Sequence, residues 1–284
     1  MSKLFILEGI PGSGKSTFSN RLKQDLEKSG YRVIQFNEGD LHPIDLSWIS
    51  IVPKEKFEQL LIKYKPYQDE IIKNSREEQN SVLTSYTKVK IDSKDISFFQ
   101  DFSKYEIYKF NDLNIFLNEH LKLYRRFNNE HQENTVYIFE CVFLQNHINE
   151  LILKYGLELE NIKNYLNTLN KELSLIKPQV LYIKQKNIED TIKRISVKRS
   201  SVNPLRKDWI DFVVEYFEST RYFKSFGYRG KKGVIDYFIY RQNLELAILN
   251  GTSINNSIFE LDIDYDKTYN KLYEYVISQL KNPI

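Results

Sequence analysis

The sequence predicts an α/β protein built on a doubly wound parallel sheet of five strands, interrupted by large helical insertions. Three observations predict it. A short apolar run, Lys3 to Glu8 (KLFILE), leads straight into the glycine-rich stretch Gly9 to Thr17 (GIPGSGKST). A helical segment and a second apolar run follow within forty residues, giving the strand–helix–strand unit from which parallel sheets are assembled. Three more apolar runs, at Val136 to Glu140, Val180 to Ile183 and Ser257 to Ile263, recur between helical patterns.

Taken in order, Lys3 to Glu8 is the first strand. Lys15 to Ser29 carries Phe18, Leu22 and Leu26 at a four-residue helical spacing and stops at Gly30. Tyr31 to Phe36 (YRVIQF) is the second strand. From Leu41 to Asn134 the pattern turns long and helical, with Leu60, Leu61 and Tyr64 in one stretch and Leu113, Leu117, Leu121 and Tyr124 in another. Val136 to Glu140 (VYIFE) is the third strand, His147 to Leu175 has helical composition, and Lys177-Pro178 opens the fourth strand. The basic segment Lys193 to Lys207 follows, then two helices over Trp209 to Asn250 joined through Gly227, Gly230 and Gly233. Ser257 to Ile263 is the fifth strand, and Lys267 to Leu280 closes the chain with Leu272, Val276 and Leu280 on one face. With no internal repeat and no low-complexity linker, residues 1–284 are expected to form a single domain with insertions.

Composition narrows the function classes. Lys and Arg number 41 against 38 Asp and Glu, a net charge of +3, and no segment is a polybasic arm, which argues against nucleic acid as a partner. The single cysteine, Cys141, excludes an internal disulfide. The first apolar run is too short for a signal-peptide core, and nowhere do eighteen apolar residues follow one another, so neither membrane insertion nor export is expected and the protein is placed in the cytoplasm.

Gly9, Gly14, Lys15 and Ser16 match the phosphate-binding pattern G-x-x-x-x-G-K-[ST], between a strand and a helix as the motif requires. Glycines let successive backbone N–H groups wrap a phosphate, and the following helix points its positive end at the same place. Gly9, Pro11, Gly12, Ser13, Gly14, Lys15, Ser16 and Thr17 are therefore the expected ATP site. Lys15 would bridge the β- and γ-phosphates, and Ser16 would offer its hydroxyl to Mg²⁺.

The loop, the five-strand order and the basic segment after strand four resemble the P-loop nucleoside and nucleotide kinase superfamily, in particular its thymidylate-kinase-like members. The resemblance implies a sheet in the order 2-3-1-4-5, an acceptor-binding helical region after strand two (41–134) and a lid-like basic segment after strand four (187–207), while the sequence pattern adds a further helical insertion (208–250). Deoxynucleoside kinases of this group place a basic glutamate after strand two, where this chain reads Phe36-Asn37-Glu38-Gly39-Asp40. Glu38 is thus the candidate base, with Asp40 as its alternate. The third strand ends Phe139-Glu140-Cys141, in register with an acidic-Arg signature whose acid serves Mg²⁺; Glu140 keeps the acid and Cys141 replaces the arginine. Of Lys193, Arg194, Lys198, Arg199, Arg206 and Lys207, the resemblance makes Arg194 and Arg199 the candidates for stabilising the phosphoryl group in transfer.

Outside that pattern, Arg125 and Arg126 could meet a phosphorylated acceptor or the dipole of their own helix, and Phe36 with Trp48 could form an aromatic platform or simply core. His42, His120, His131 and His147 lack metal-ligand spacing. The expected function is an ATP- and Mg²⁺-dependent phosphotransferase acting on a small-molecule acceptor, a nucleoside or nucleotide among them. The alternatives are a regulatory P-loop ATPase that gates binding and a toxin-like kinase. The sequence has neither a DxxG nor an NKxD motif, which sets a GTPase switch aside. A homodimer stays open.

Overall fold

The structure is a computed structural model that describes residues 3–92, 96–109, 112–200 and 207–281. In chain order its elements are β1 (Lys3–Glu8), α1 (Lys15–Lys28), β2 (Val33–Phe36), β3 (Ser50–Pro53), α2 (Lys54–Lys63), α3 (Gln68–Lys73), β4 (Ser75–Glu77), β5 (Ser81–Thr84), α4 (Ile96–Ser103), α5 (Leu113–Glu130) and β6 (Val136–Glu140). There follow α6 (Gln145–Leu153), α7 (Leu159–Glu172), β7 (Gln179–Lys184), α8 (Ile188–Lys198), α9 (Trp209–Ser219), α10 (Gly230–Asn250), β8 (Asn256–Glu260) and α11 (Tyr265–Lys281). They fall into two compact units, one made of the chain up to Gln35 and from His131 onward, the other of Phe36–Glu130.

The first unit is organised by a five-stranded sheet in the order β2-β6-β1-β7-β8. Numbered among themselves these strands run 2-3-1-4-5, as the resemblance implies. β1 is central, pairing in parallel with β6 (Leu4 opposite Tyr137) and with β7 (Ile6 opposite Val180). Every residue of β1 is buried, because a central parallel strand is covered on both faces; that is why KLFILE reads as a continuous apolar run and does not alternate. On one face Phe5 and Leu7 meet Phe18, Leu22 and Leu26 of α1 and Leu272 and Val276 of α11. Each such side chain stabilises the fold by about 1.5–3 kcal/mol relative to exposure. The predicted helical spacing of α1 is thereby accounted for, and Gly30, at φ +85°, turns the chain where the helix was expected to stop.

The second unit has a core of Val52, Phe57, Leu60, Tyr64, Ile71, Val82, Tyr86, Phe98 and Phe102. Here the helical expectation for 41–134 needs correction. β3, β5 and β4 form a three-stranded antiparallel sheet, with Ile51 opposite Leu83 and Arg76 opposite the same residue. Strands of three or four residues are too short to display a period of two against flanking helices. His147 to Leu175 is helical as its composition predicts, forming two helices, α6 and α7, separated at Gly156 (φ +63°). α9 and α10 are the two helices expected over 208–250. Of the lid-like segment 187–207, residues 201–206, Arg206 included, lie outside the described residues.

Candidate nucleotide site

The loop between β1 and α1 holds three glycines at positive φ: Gly9 at 141°, Gly12 at 80° and Gly14 at 95°. Two of them also lack room for a side chain. A Cβ on Gly9 would stand 2.7 Å from the Ile183 carbonyl oxygen of β7, and one on Gly12 would stand 3.1 Å from Thr191 and 3.2 Å from Ile195 of α8. Gly14 caps α1 without a side-chain hydrogen bond, so the first N–H groups of that helix face the loop as helix geometry dictates. The Ser13 hydroxyl is fully buried and has no hydrogen-bond partner among the described residues. A glycine-lined turn closed to side chains, a buried orphan hydroxyl and a helix start together fit a bound phosphate.

Lys15 is buried and donates to the carbonyl oxygens of Gly9 (2.7 Å) and Ile10 (3.1 Å) and to Gln145 Oε1 (3.2 Å). Ser16 donates to Glu140 Oε2 at 2.7 Å, and the Ser19 hydroxyl donates to the other oxygen of the same carboxylate. Hydroxyl and carboxylate oxygens side by side are the hard donors Mg²⁺ takes when nucleotide phosphates complete its shell, so Ser16 and Glu140 fit the ion. Cys141, at φ +65°, turns the chain directly after Glu140. It is a buried residue donating its N–H to the Leu7 carbonyl, at the position where the superfamily carries an arginine.

Three functional neighbours went unseen in the sequence. Gln145 and Ser19 give no local signal, since each acts through a residue more than a hundred positions away. Glu8 could have been noticed as the carboxylate that ends the apolar first strand. It is fully buried and accepts backbone N–H bonds from Phe143 (2.8 Å), Leu144 (2.9 Å) and Gln145 (3.1 Å) at the start of α6. Burial pushes its carboxyl up to about 7, with the nearby Glu245 adding to the rise and the three N–H donors opposing it. Glu245 in turn pairs with the fully buried Arg241 at 3.0 Å and accepts from Tyr182 at 2.5 Å.

The basic segment divides by partner. Thr191 and Ile195 put α8 against Gly12, and Arg194 is exposed on that helix. Arg199, just past its end, lies 5.3 Å over the Trp209 ring. Lys193 pairs with Glu189 and Lys207 with Glu215.

Glu38 and Asp40 belong to the second unit. Both oxygens of Asp40 are engaged, one by the Asn37 N–H at 2.8 Å and one by Lys88 at 3.0 Å, whereas the Glu38 side chain is exposed. Asp45 is buried among Ser47 (3.1 Å) and Tyr108 (3.2 Å); burial, with Glu38 nearby, pushes it up to about 6. Burial holds His42 down to about 3 and His120 to about 4, so both are neutral imidazoles. Phe36 packs its ring on His42, and Trp48 is half exposed at φ +62°. Arg126 grips Glu78 through both oxygens, at 3.0 and 2.7 Å, which removes it as a free phosphate ligand.

The loop, the strand order and the Ser16–Glu140 pair are those of a P-loop nucleotide-binding fold. The family model described as chromatin associated protein KTI12 matches residues 2–94. No curated protein matches the sequence. Among solved structures, a thymidylate kinase from Ehrlichia chaffeensis is 15% identical with a TM-score of 0.42, the match covering 98% of each chain. Kti12 from Chaetomium thermophilum, solved in complex with ADP-AlF3, is 12% identical with a TM-score of 0.40 over 97% of each chain. The assignment rests on the loop and topology of this chain and not on these similarities. No described helix is long and apolar enough to cross a membrane.

Proposed function

We propose that the chain is an ATP- and Mg²⁺-dependent phosphotransferase acting on a small-molecule acceptor. The observation that carries this reading is the packing of α8 on the loop: Thr191 and Ile195 against Gly12 set an arginine-bearing helix beside the phosphate cradle, the arrangement a lid needs. Bound Mg²⁺ would neutralise phosphate charge and polarise the group in transfer. Lys15 holds the β- and γ-phosphate oxygens, and Ser16 and Glu140 present the ion's protein ligands. Arg194 and Arg199 supply guanidinium donors whose planar fork suits a phosphoryl group. Glu38, two residues beyond β2, takes the acceptor hydroxyl's proton; its exposed carboxylate is available, while that of Asp40 is engaged in its own turn.

A second reading, a regulatory ATPase whose output is a conformational state, is favoured by the KTI12 model over residues 2–94. ADP release measured against panels of nucleosides, nucleotides, sugars and amino alcohols separates the two. A kinase hydrolyses ATP slowly alone and turns over sharply faster with its acceptor, because lid closure excludes water until both substrates are bound. One steady rate whatever is added, with no phosphorylated product by mass spectrometry, establishes the regulator. Lys15→Ala abolishes turnover under either reading, and wild-type turnover in that variant would remove the loop from the chemistry.

A further inference from the structure

The turn between β6 and α6 contacts two successive loop residues. At its start Glu140 accepts from Ser16; at its end Gln145, the first residue of α6, accepts from Lys15. The two contacts differ in what a bound nucleotide does to them. A hydroxyl has one proton and two lone pairs, so Ser16 can keep donating to Glu140 while offering a lone pair elsewhere. An ammonium has three N–H donors and no lone pair. All three of Lys15 are engaged, by Gly9 O at 2.7 Å, Ile10 O at 3.1 Å and Gln145 Oε1 at 3.2 Å. A phosphate oxygen that recruits Lys15 must take at least one. Gly9 and Ile10 present backbone carbonyls of the loop itself, and Gly9 is wedged against the Ile183 carbonyl, so neither can withdraw without moving the cradle. Gln145 offers a side chain with rotatable bonds and the longest of the three contacts.

The position of that amide is itself fixed. Glu8, one residue before the loop, accepts from the N–H groups of Phe143, Leu144 and Gln145, which pins the start of α6 to the same strand end that launches the loop. Gln145 is 7% exposed, so its side chain has little freedom to leave without cause.

We propose that Gln145 is a positioning residue that competes with nucleotide phosphate for Lys15, and that nucleotide affinity is set against this contact. The proposal rests on nucleotide binding at the loop and is independent of whether the phosphoryl group then goes to an acceptor or to water.

The test is isothermal titration of the full chain with ADP and with the non-hydrolysable analogue AMP-PNP, each with Mg²⁺. Gln145→Ala removes the competing acceptor, and both dissociation constants are expected to fall roughly three- to tenfold. Gln145→Glu, of nearly the same shape, replaces the amide by a carboxylate that pairs with Lys15, and both are expected to rise at least tenfold. In a Lys15→Ala background the Gln145→Ala shift should vanish, since that cycle isolates the contact between these two residues. An unchanged or weakened affinity in Gln145→Ala, or a Gln145→Ala shift that persists without Lys15, overturns the proposal. Should Lys15→Ala itself bind AMP-PNP like the wild type, the loop reading fails instead, so the two failures are distinguishable. If Gln145→Ala does not unfold cooperatively, Gln145→Glu alone decides: affinity equal to wild type refutes the competition.

Discussion

Glu8→Gln separates charge from hydrogen bonding at the root of the loop. The native carboxyl accepts three backbone N–H bonds, two on one oxygen and one on the other. A glutamine keeps one acceptor oxygen, which can serve Phe143 and Leu144, but turns an N–H₂ group toward the Gln145 N–H. One buried donor is left without a partner, a loss of about 1–3 kcal/mol. The charge acts separately. Glu8 is raised from an ordinary 4.5 to about 7, first by burial and then by Glu245. An acid raised on folding contributes stability that is complete below its unfolded value and is lost as the pH climbs through its folded one. At 1.36 kcal/mol per tenfold, the rise corresponds to about 3 kcal/mol lost between pH 4.5 and 8. Glutamine has no such dependence. Urea unfolding of both proteins at pH 5, 6, 7 and 8 should therefore show the variant less stable by about 1–3 kcal/mol at pH 5, with the gap closing or reversing by pH 8. A difference that stays constant across this range would refute the claim that folding raises the Glu8 carboxyl.

Glu140→Gln and Ser16→Ala should each raise the Mg²⁺ concentration needed for half-maximal turnover; a wild-type Mg²⁺ titration for Glu140→Gln would make that acid a partner of Ser16 and Ser19 only. With the acceptor identified, Glu38→Gln should lower acceptor-dependent turnover by roughly two to four orders of magnitude at unchanged ATP affinity, and Asp40→Asn should lower it far less. The reverse ranking would move the base by two residues. Gly9→Ala should destabilise by several kcal/mol, because a Cβ at 2.7 Å from a backbone carbonyl adds to the strain of φ +141°, of order 1–3 kcal/mol alone. Gly30→Ala, with open space around it, should carry the strain alone, and equal melting temperatures for the two would contradict the close approach.

The sequence made the five-stranded sheet legible because its three inner strands are buried on both faces and its loop glycines stand in a fixed pattern. KLFILE, VYIFE and VLYI need no alternation to be recognised, and KLFILE runs straight into Gly9. The strands of the second unit carry no such mark: Ser75–Glu77 is three polar residues, and its pairing with β5 is decided by tertiary contacts. At the site the division is the same. Lys15 and Ser16 are announced by their neighbours in sequence, whereas Gln145 and Ser19 matter only because β6 lies next to β1. The carboxylates Glu38 and Asp40 read alike in the sequence; what distinguishes them is the turn that engages Asp40 through Asn37 and Lys88.

The central position of β1 also bears on how this chain comes into being. Its partners β6 and β7 begin 133 and 176 residues after its own first residue, Lys3. At about 5–20 residues per second, synthesis takes roughly 7–27 s to reach β6 alone. Until then an apolar strand has no edge to pair with, and the N–H groups that hold Glu8 do not yet exist. Lys3 and Glu8, one charge at each end, flank the run in the way gatekeeper residues guard a strand that must wait. The phosphate loop is thus made well before it can acquire its shape.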